Sequence, residues 1–390
     1  MSTDKLIPEF RFPEFLNEGE WKEKQLGEIA EIKRGAASQH LSYVEDKSKG
    51  IRLLRINDFL SDTPVYVKDS DDIKRFRVKT NDLLIAGTGA TAGITFIVPE
   101  EFNDLAYSYN APRIRLSNND NFFIYNYLKS DSILNQQRKL FVGNAQPFLD
   151  TDAIRSLKIS IPKLLEQQKI ASCLFSLDEL IAAQSQKLDV LKDHKKGLMQ
   201  NLFPQAGEKV PKYRFNEFEK DGEWVEKKFQ ELFDIGNGRD YKHLEKGEIP
   251  VYGSGGYMLS VDDYLYDGES VCIGRKGTID KPMFLSGKFW TVDTLFFTHS
   301  FKDCLPKYIF YVFENINWRN HNEAGGVPSL SKTNIYKIEI MVPPTIQEQQ
   351  KIASCLSSLD ALIAAQGEKI EQLQLHKKGL MQGLFPKIND

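Results

Sequence analysis

One long segment of this chain is written twice. EQQKIASCLFSLDELIAAQSQKLDVLKDHKKGLMQNLFP at 166–204 is answered by EQQKIASCLSSLDALIAAQGEKIEQLQLHKKGLMQGLFP at 348–386, while the residues around the copies agree only in patches. In the first copy Ile170, Leu174, Leu177, Ile181, Leu188, Leu191, Leu198 and Leu202 step by four and three, with Gln184 and Lys195 filling the same register. The second copy places Ile352, Leu356, Leu359, Ile363, Ile370, Leu373, Leu380 and Leu384 in that pattern, with Gln366 and Lys377 at the polar steps. A 3.5-residue period held over several heptads predicts a coiled-coil seam rather than an isolated amphipathic helix. Proline in each LFP ends the helix, and at 1.5 Å per residue each rod is expected to be about 55 Å long.

The seam accounts for the apolar matches but not for identities away from it. His194, Lys196 and Met199 recur as His376, Lys378 and Met381, and Ala182 and Ala183 recur as Ala364 and Ala365. Identity at positions expected to face outward suggests one surface offered twice, to two copies of one partner.

Further self-similarity sets the domain order. PEFRFPEFLNEGEWKEKQLGEIAEIKRG at 8–35 matches PKYRFNEFEKDGEWVEKKFQELFDIGNG at 211–238, and NAQPFLDTDAIRSLKISIP at 144–162 matches GGVPSLSKTNIYKIEIMVP at 325–343. The expected organisation is a globule at 1–163, a helix at 164–204, a linker and second globule at 205–344, and a second helix and tail at 345–390. PQAGEKVP at 204–211 reads as a short Pro-bounded linker. The repeated Phe12, Phe15 and Trp21, with Phe215, Phe218 and Trp224, read as structural anchors. An antiparallel pair of rods would put the two globules at opposite ends.

Within the globules, short apolar runs such as DLLIAGTGATAGITFIV, ESVCIGRKGTI and KFWTVDTLFFT read as strands joined by glycine turns. Helices are expected near NFFIYNYLKSDSILNQQRK and PKYIFYVFENINW. The fold class is therefore α+β: two mixed globules separated by two long helices packed as an antiparallel coiled coil. At 390 residues the chain exceeds one ordinary core, and 41% hydrophobic with 27% charged residues is globular usage. No apolar run reaches membrane-spanning length and MSTDKLIPEF lacks a signal pattern, so the cytoplasm is the default location. Four cysteines are too few for a disulfide scaffold, and Cys173 and Cys355, matched in the repeats, read as small core residues.

A net charge of −3 argues against a protein that coats nucleic acid indiscriminately, so any polyanion site must be concentrated. Catalytic motifs are missing. GTGATAG at 87–93 lacks both G-x-G-x-x-G spacing and a following Lys-Ser/Thr, and reads as a strand turn. No Asn/Asp-Pro-Pro-aromatic tetrapeptide of an amino-methyltransferase occurs, and the six histidines form no metal motif. Glu31-Ile32-Lys33 imitates the end of a nuclease triad but reads as a solvated charge pair.

What the globules do offer is guanidinium, amide and aromatic groups beside glycine turns. The candidates are Arg34, Arg52, Arg75, Arg77, Thr88, Gly89, Asn144 and Gln146 in the first, and Arg239, Tyr241, Tyr252, Ser254, Arg275, Lys276 and Lys332 in the second. Arg and Lys can pair with guanine O6 and N7, Asn and Gln with adenine N6 and N7, while backbone amides at glycine turns approach phosphates.

Two diverged globules, each followed by EQQKIAxxLxxLDxLI and HKKGLMQxLFP, resemble the specificity subunit of type I restriction–modification systems over essentially the whole chain. The resemblance implies a non-catalytic DNA-recognition subunit without a cofactor of its own. Each globule would read one half of a bipartite, asymmetric target, and the helices would set the spacing. It also implies two modification subunits using S-adenosylmethionine and two restriction subunits using ATP and Mg. The family's recognition loops look like Gly87–Gly93 and Gly274–Gly277 here, although GTGATAG has no basic residue where GRKG does. The rival from another class is a tandem-repeat coiled-coil scaffold that does not read DNA.

Overall fold

A computed structural model of the chain describes residues 6–59, 61, 63–141 and 147–386. It divides into two compact units: residues 1–184 with 369–390, and residues 185–368. Each unit thus takes most of one globule, half of the first long helix (Leu164–Leu202) and half of the second (Ile346–Leu384).

The two units share one topology except for the edge strand of the second sheet, which is added on opposite edges. In the first, Lys22–Gln25 pairs antiparallel with Lys158–Ile161. A four-stranded antiparallel sheet follows in the order Ala30–Lys33, Arg113–Leu116, Leu83–Ile85, Thr95–Ile97. A second sheet runs Tyr43–Val44, Tyr66–Val67, Ile51–Leu54, Ala106–Tyr107, its last pairing parallel. In the second unit Val225–Lys228 pairs with Glu339–Val342. One four-stranded sheet runs Asp234–Asn237, Leu295–His299, Ser270–Gly274, Met283–Leu285. The other runs Gly256–Val261, Lys246–Gly253, Lys288–Thr291, Tyr266–Asp267, with its middle pairing parallel. Leu83–Ile85 and Ser270–Gly274 are buried throughout because each is an inner strand, and every residue of Lys22–Gln25 is exposed.

Every seam position predicted from the heptads is buried or half-buried. In the first unit Ile170, Ala171 and Leu174 share a core with Leu384 and Phe385, and Lys377 Nζ meets both carboxylate oxygens of Asp178 at 2.5 and 2.7 Å. In the second, Met199, Leu202 and Phe203 share a core with Ile352, Ala353 and Leu356, and Lys195 Nζ lies 2.6 Å from Asp360. Within each unit the start of one long helix therefore lies beside the end of the other, which is antiparallel packing. The helical expectations in the globules hold as Asn121–Tyr127, Asp131–Phe141 and Pro306–Asn315.

The repeated aromatic and basic residues ahead of each globule have a common explanation. Arg11 Nε and Nη2 each donate to the Glu166 carboxylate at 2.8 Å, and Trp21 Nε1 donates to it at 3.2 Å. Arg214 makes the same fork to Glu348 at 2.8 and 2.8 Å, completed by Trp224 Nε1 at 3.1 Å. Both carboxylates are buried, and their hydrogen bonds hold the Arg11 and Arg214 guanidinium pKa values above the ordinary range. The Glu of EQQKIA is thus a buried latch joining the start of each globule to its own helix.

The structure corrects two readings. Met199 is 8% exposed, packed in the second unit's core, and Met381 is half-buried, because the globules cover the helix ends on more than the seam side. His194, Lys196, His376 and Lys378 are exposed, as are Ala182, Ala183, Ala364 and Ala365. Cys173 and Cys355 are only half-buried, so they do not sit in the core, and all four thiols are free. The Arg77 side chain donates to Asp69 at 2.5 Å and to the Asp104 carbonyl at 2.7 Å.

Candidate nucleic-acid interface

The glycine turns singled out above are assembled by one hydrogen-bond frame used twice. Gly238 ends Asp234–Asn237 against the turn at Thr291–Val292, so closely that a Cβ there would lie 1.9 Å from the Val292 carbonyl oxygen. Gly35 meets Tyr107–Ser108 in the same way, with 2.1 Å to the Tyr107 carbonyl oxygen. No other residue fits either position.

The second turn repeats bond for bond. Arg275 N donates to Thr294 O at 2.8 Å, Gly277 N to Pro328 O at 2.9 Å and Leu330 N to Arg275 O at 2.9 Å. In the first unit Gly87 N donates to Asn110 O at 2.9 Å, Gly89 N to Pro147 O at 3.1 Å and Leu149 N to Gly87 O at 2.8 Å. Gly89 and Gly277 both turn at positive φ, 80° and 85°, where a side chain would be strained. Isolated bridges join Thr88 to Phe148 and Lys276 to Ser329. The frames therefore match Gly87 with Arg275, Thr88 with Lys276, Tyr109 with Asp293, Asn110 with Thr294, Phe148 with Ser329 and Arg34 with Asn237. Frame is kept and side chains are exchanged.

In the second unit this edge gathers most of the candidates. Arg239 N donates to Thr291 O at 2.8 Å, and Val292 N to Tyr252 O at 3.0 Å. Tyr241, Ser254, Tyr257, Asp293 and Thr294 line an open groove of about 560 Å³ beside them. Arg239, Arg275 and Lys276 are exposed, and among the described residues none has a carboxylate partner. Arg275 lies 6.0 Å from the Phe296 ring centre. Lys332 opens the helix Lys332–Tyr336, two residues past Leu330, with Nζ 5.2 Å over the Tyr336 ring.

The first unit is more divided. Arg34, Thr88 and Gly89 converge on Tyr109 and Phe148. Arg52 is turned to Asp58 at 3.0 Å and the Phe102 ring, and Arg77 is bound to Asp69, so both act within the globule. Arg75 remains half exposed but pairs with Asp72 at 3.5 Å and approaches His40 at 3.3 Å. Asn144 and Gln146 lie outside the described residues. A groove of about 360 Å³ beside Tyr109 and Asn110 also takes in Tyr43, Arg55 and Asn57. Tyr109, Phe148, Asn110, Asp293 and Thr294 were not anticipated. Their place follows from the frame, and the frame is invisible where the two repeats have diverged.

GTGATAG is the predicted strand turn, passing from Leu83–Ile85 into a single turn at Gly89–Thr91. Glu31, on the strand Ala30–Lys33, pairs with Lys33 of the same strand and with Arg113 of the neighbouring strand Arg113–Leu116, as an ion cluster. Among the described residues no group of three His, Cys, Asp or Glu could hold a metal ion, and no helix is long and apolar enough to cross a membrane.

The sequence model for the type I restriction modification DNA specificity domain matches twice, at residues 18–193 and 221–375. The chain belongs to that family. It is a DNA sequence-specificity subunit with two recognition domains, the two matches falling on the two repeats. It is similar to the type I restriction enzyme MjaVIII specificity subunit of Methanocaldococcus jannaschii, 24% identical, the match covering 94% of this chain and 92% of that one. The putative MjaX specificity subunit of the same organism is also 24% identical, over 94% and 93% of the two chains. In fold it resembles the crystal structure of a type I S subunit from M. genitalium, with a TM-score of 0.64 at 15% identity, covering 98% of this chain and all of that one. A second neighbour, from a structural study of complex assembly and conformational transition of the type I system, has a TM-score of 0.59 at 16% identity, over 94% and 97%. The scaffold reading gains no support from these matches.

Proposed function

We propose that this chain is the non-catalytic specificity subunit of a type I restriction–modification complex, reading a bipartite, asymmetric DNA target with one half-site per recognition domain. The observation that carries this is the pair of matched loop frames furnished with unlike side chains. A shared frame presents both domains to the duplex alike, and unlike side chains are what two unlike half-sites require. The reading groups are Arg34, Thr88 and Gly89 in one domain and Arg239, Tyr241, Tyr252, Ser254, Arg275, Lys276 and Lys332 in the other.

The paired helices set the gap between half-sites and offer His194 with Lys196, and His376 with Lys378, to two modification subunits. Those subunits bind S-adenosylmethionine and methylate adenine. Two restriction subunits, using ATP and Mg, complete the assembly in the cytoplasm. Exposure of these four residues and their repetition on both helices support the docking assignment.

Genome-wide adenine-methylation mapping, with and without this chain co-expressed with its modification partner, tests the reading. Appearance of one split motif is expected. Absence of any motif in the presence of an active partner rejects it. Inserting one helical turn into both long helices tests the spacing: the gap should lengthen by about one or two base pairs, from ~5 Å of added rod and ~3.4 Å per pair, with both half-sites kept. Altered half-sites with an unchanged gap would refute the ruler.

A further inference from the structure

Resting on the reading above, we propose that Arg34 is the guanine reader of the first recognition domain, so that the half-site read by this domain contains a guanine recognised through O6 and N7. Four arginines of this domain were candidates, and the structure separates them by their partners. Arg52 is bound to Asp58, Arg75 to Asp72 and Arg77 to Asp69. Among the described residues no carboxylate or carbonyl oxygen takes a hydrogen bond from the Arg34 guanidinium. Instead Arg34 Cζ lies 4.4 Å from the centre of the Tyr109 ring and 5.4 Å from that of Phe148.

Those two rings are themselves exposed, Tyr109 to 42% and Phe148 to 44%, which is unusual cover for a purely structural cation. A guanidinium held over aromatic faces keeps its N–H donors in its own plane and unspent, and loses less rotamer freedom when a planar partner arrives. A carboxylate partner would consume the same donors. Guanine is the base whose major-groove edge presents two acceptors to such a fork. The matched position in the second domain is Asn237, and there the cations are supplied by Arg275 and Lys276, where the first domain has Gly87 and Thr88. Each frame thus carries its cation on a different turn.

The experiment uses the assembled complex of this chain with its modification partner and duplexes bearing the mapped motif. The half-site of the first domain is identified as the one that persists when residues 211–342 are replaced from another family member. In the wild-type complex, 7-deazaguanine, which lacks the N7 acceptor, should weaken binding about 5- to 150-fold at one guanine of that half-site. In R34A the same analogue should cost nothing further, and the other half-site should be read as before. A half-site without guanine, no sensitivity to the analogue in the wild-type complex, or full sensitivity in R34A overturns the assignment. Because the wild-type arm needs no variant, a misfolded R34A does not protect it. If the wild-type complex methylates no split motif, the underlying reading falls and this assignment with it, whereas a split motif with any of the three results above removes the assignment alone.

Discussion

The latches and the loops of the two repeats have had opposite fates. Arg11, Trp21 and Glu166 are reproduced by Arg214, Trp224 and Glu348 with hydrogen-bond lengths agreeing within 0.1 Å, and the heptad seam runs through both helices. At the matched turns the backbone bonds persist while the side chains do not: Arg34 stands where Asn237 does, and Gly87 and Thr88 where Arg275 and Lys276 do. Where a residue holds the repeat together its chemistry is fixed from both sides. Where it faces outward from a fixed frame, it is free to follow whatever it must read.

The largest effect expected from this contrast lies in the latch. Glu166→Ala or Glu348→Ala leaves a buried, always-charged guanidinium and an indole N–H without their acceptor, and each should cost about 3–5 kcal/mol. The two costs should be similar because the two sites have the same partners and burial. Urea denaturation measures the loss, and hydrogen exchange assigns it to the unit carrying the substitution. A cost below about 1 kcal/mol in one unit alone would show that the latches, alike in geometry, are not alike in energy.

The same contrast explains what could be read from the sequence. The helices were legible because a 3.5-residue period is local and was written twice, and the aromatic anchors were legible as repeats. Glu166 and Glu348 open the repeated motifs, but nothing in EQQKIA says that its carboxylate is buried, since its arginine is 155 or 134 residues away. The candidate arginines looked equivalent in sequence. Arg52 and Arg77 differ from Arg34 only by the presence of Asp58 and Asp69 in space, which no local pattern reports. Met199 departs from its outward reading for a related reason: a heptad predicts the face turned to the other helix, not the further cover a globule adds at the end of the rod.

A medium effect should fall on base discrimination in the second domain. Arg275 is exposed, free of any carboxylate among the described residues, and placed by its own backbone bonds to Thr294 and Leu330. Arg275→Ala should therefore remove about 1–3 kcal/mol of discrimination at one position of one half-site, leaving stability and the other half-site unchanged. Competition binding with single-base variants of the mapped motif measures it. If both half-sites relaxed together, the two domains would not be independent readers, and the contrast between shared frame and private side chain would lose its meaning.

The smallest effect distinguishes the matched ion pairs on the helices. Lys195 serves two carboxylates, Glu314 at 2.8 Å and Asp360 at 2.6 Å, while its counterpart Lys377 serves only Asp178 among the described residues. Burial opposes the Lys195 charge, but its hydrogen bonds to Asp360 and Glu314 outweigh burial and raise the ammonium pKa above its ordinary value. All these side chains retain some solvent contact, so screening keeps the energies small: Lys195→Ala should cost about 1 kcal/mol and Lys377→Ala about half that. Removing Lys195 also leaves Glu314 and Asp360 facing one another uncompensated, a penalty with no counterpart at Lys377. Thermal unfolding at low and at molar salt separates this repulsion from lost packing. The gap between the two variants should narrow as the Debye length falls from ~10 Å to ~3 Å. A gap that survives molar salt would mean that Lys195 contributes through the packing of its side chain rather than its charge, and that the charge asymmetry between the two halves of the coiled coil carries no energy.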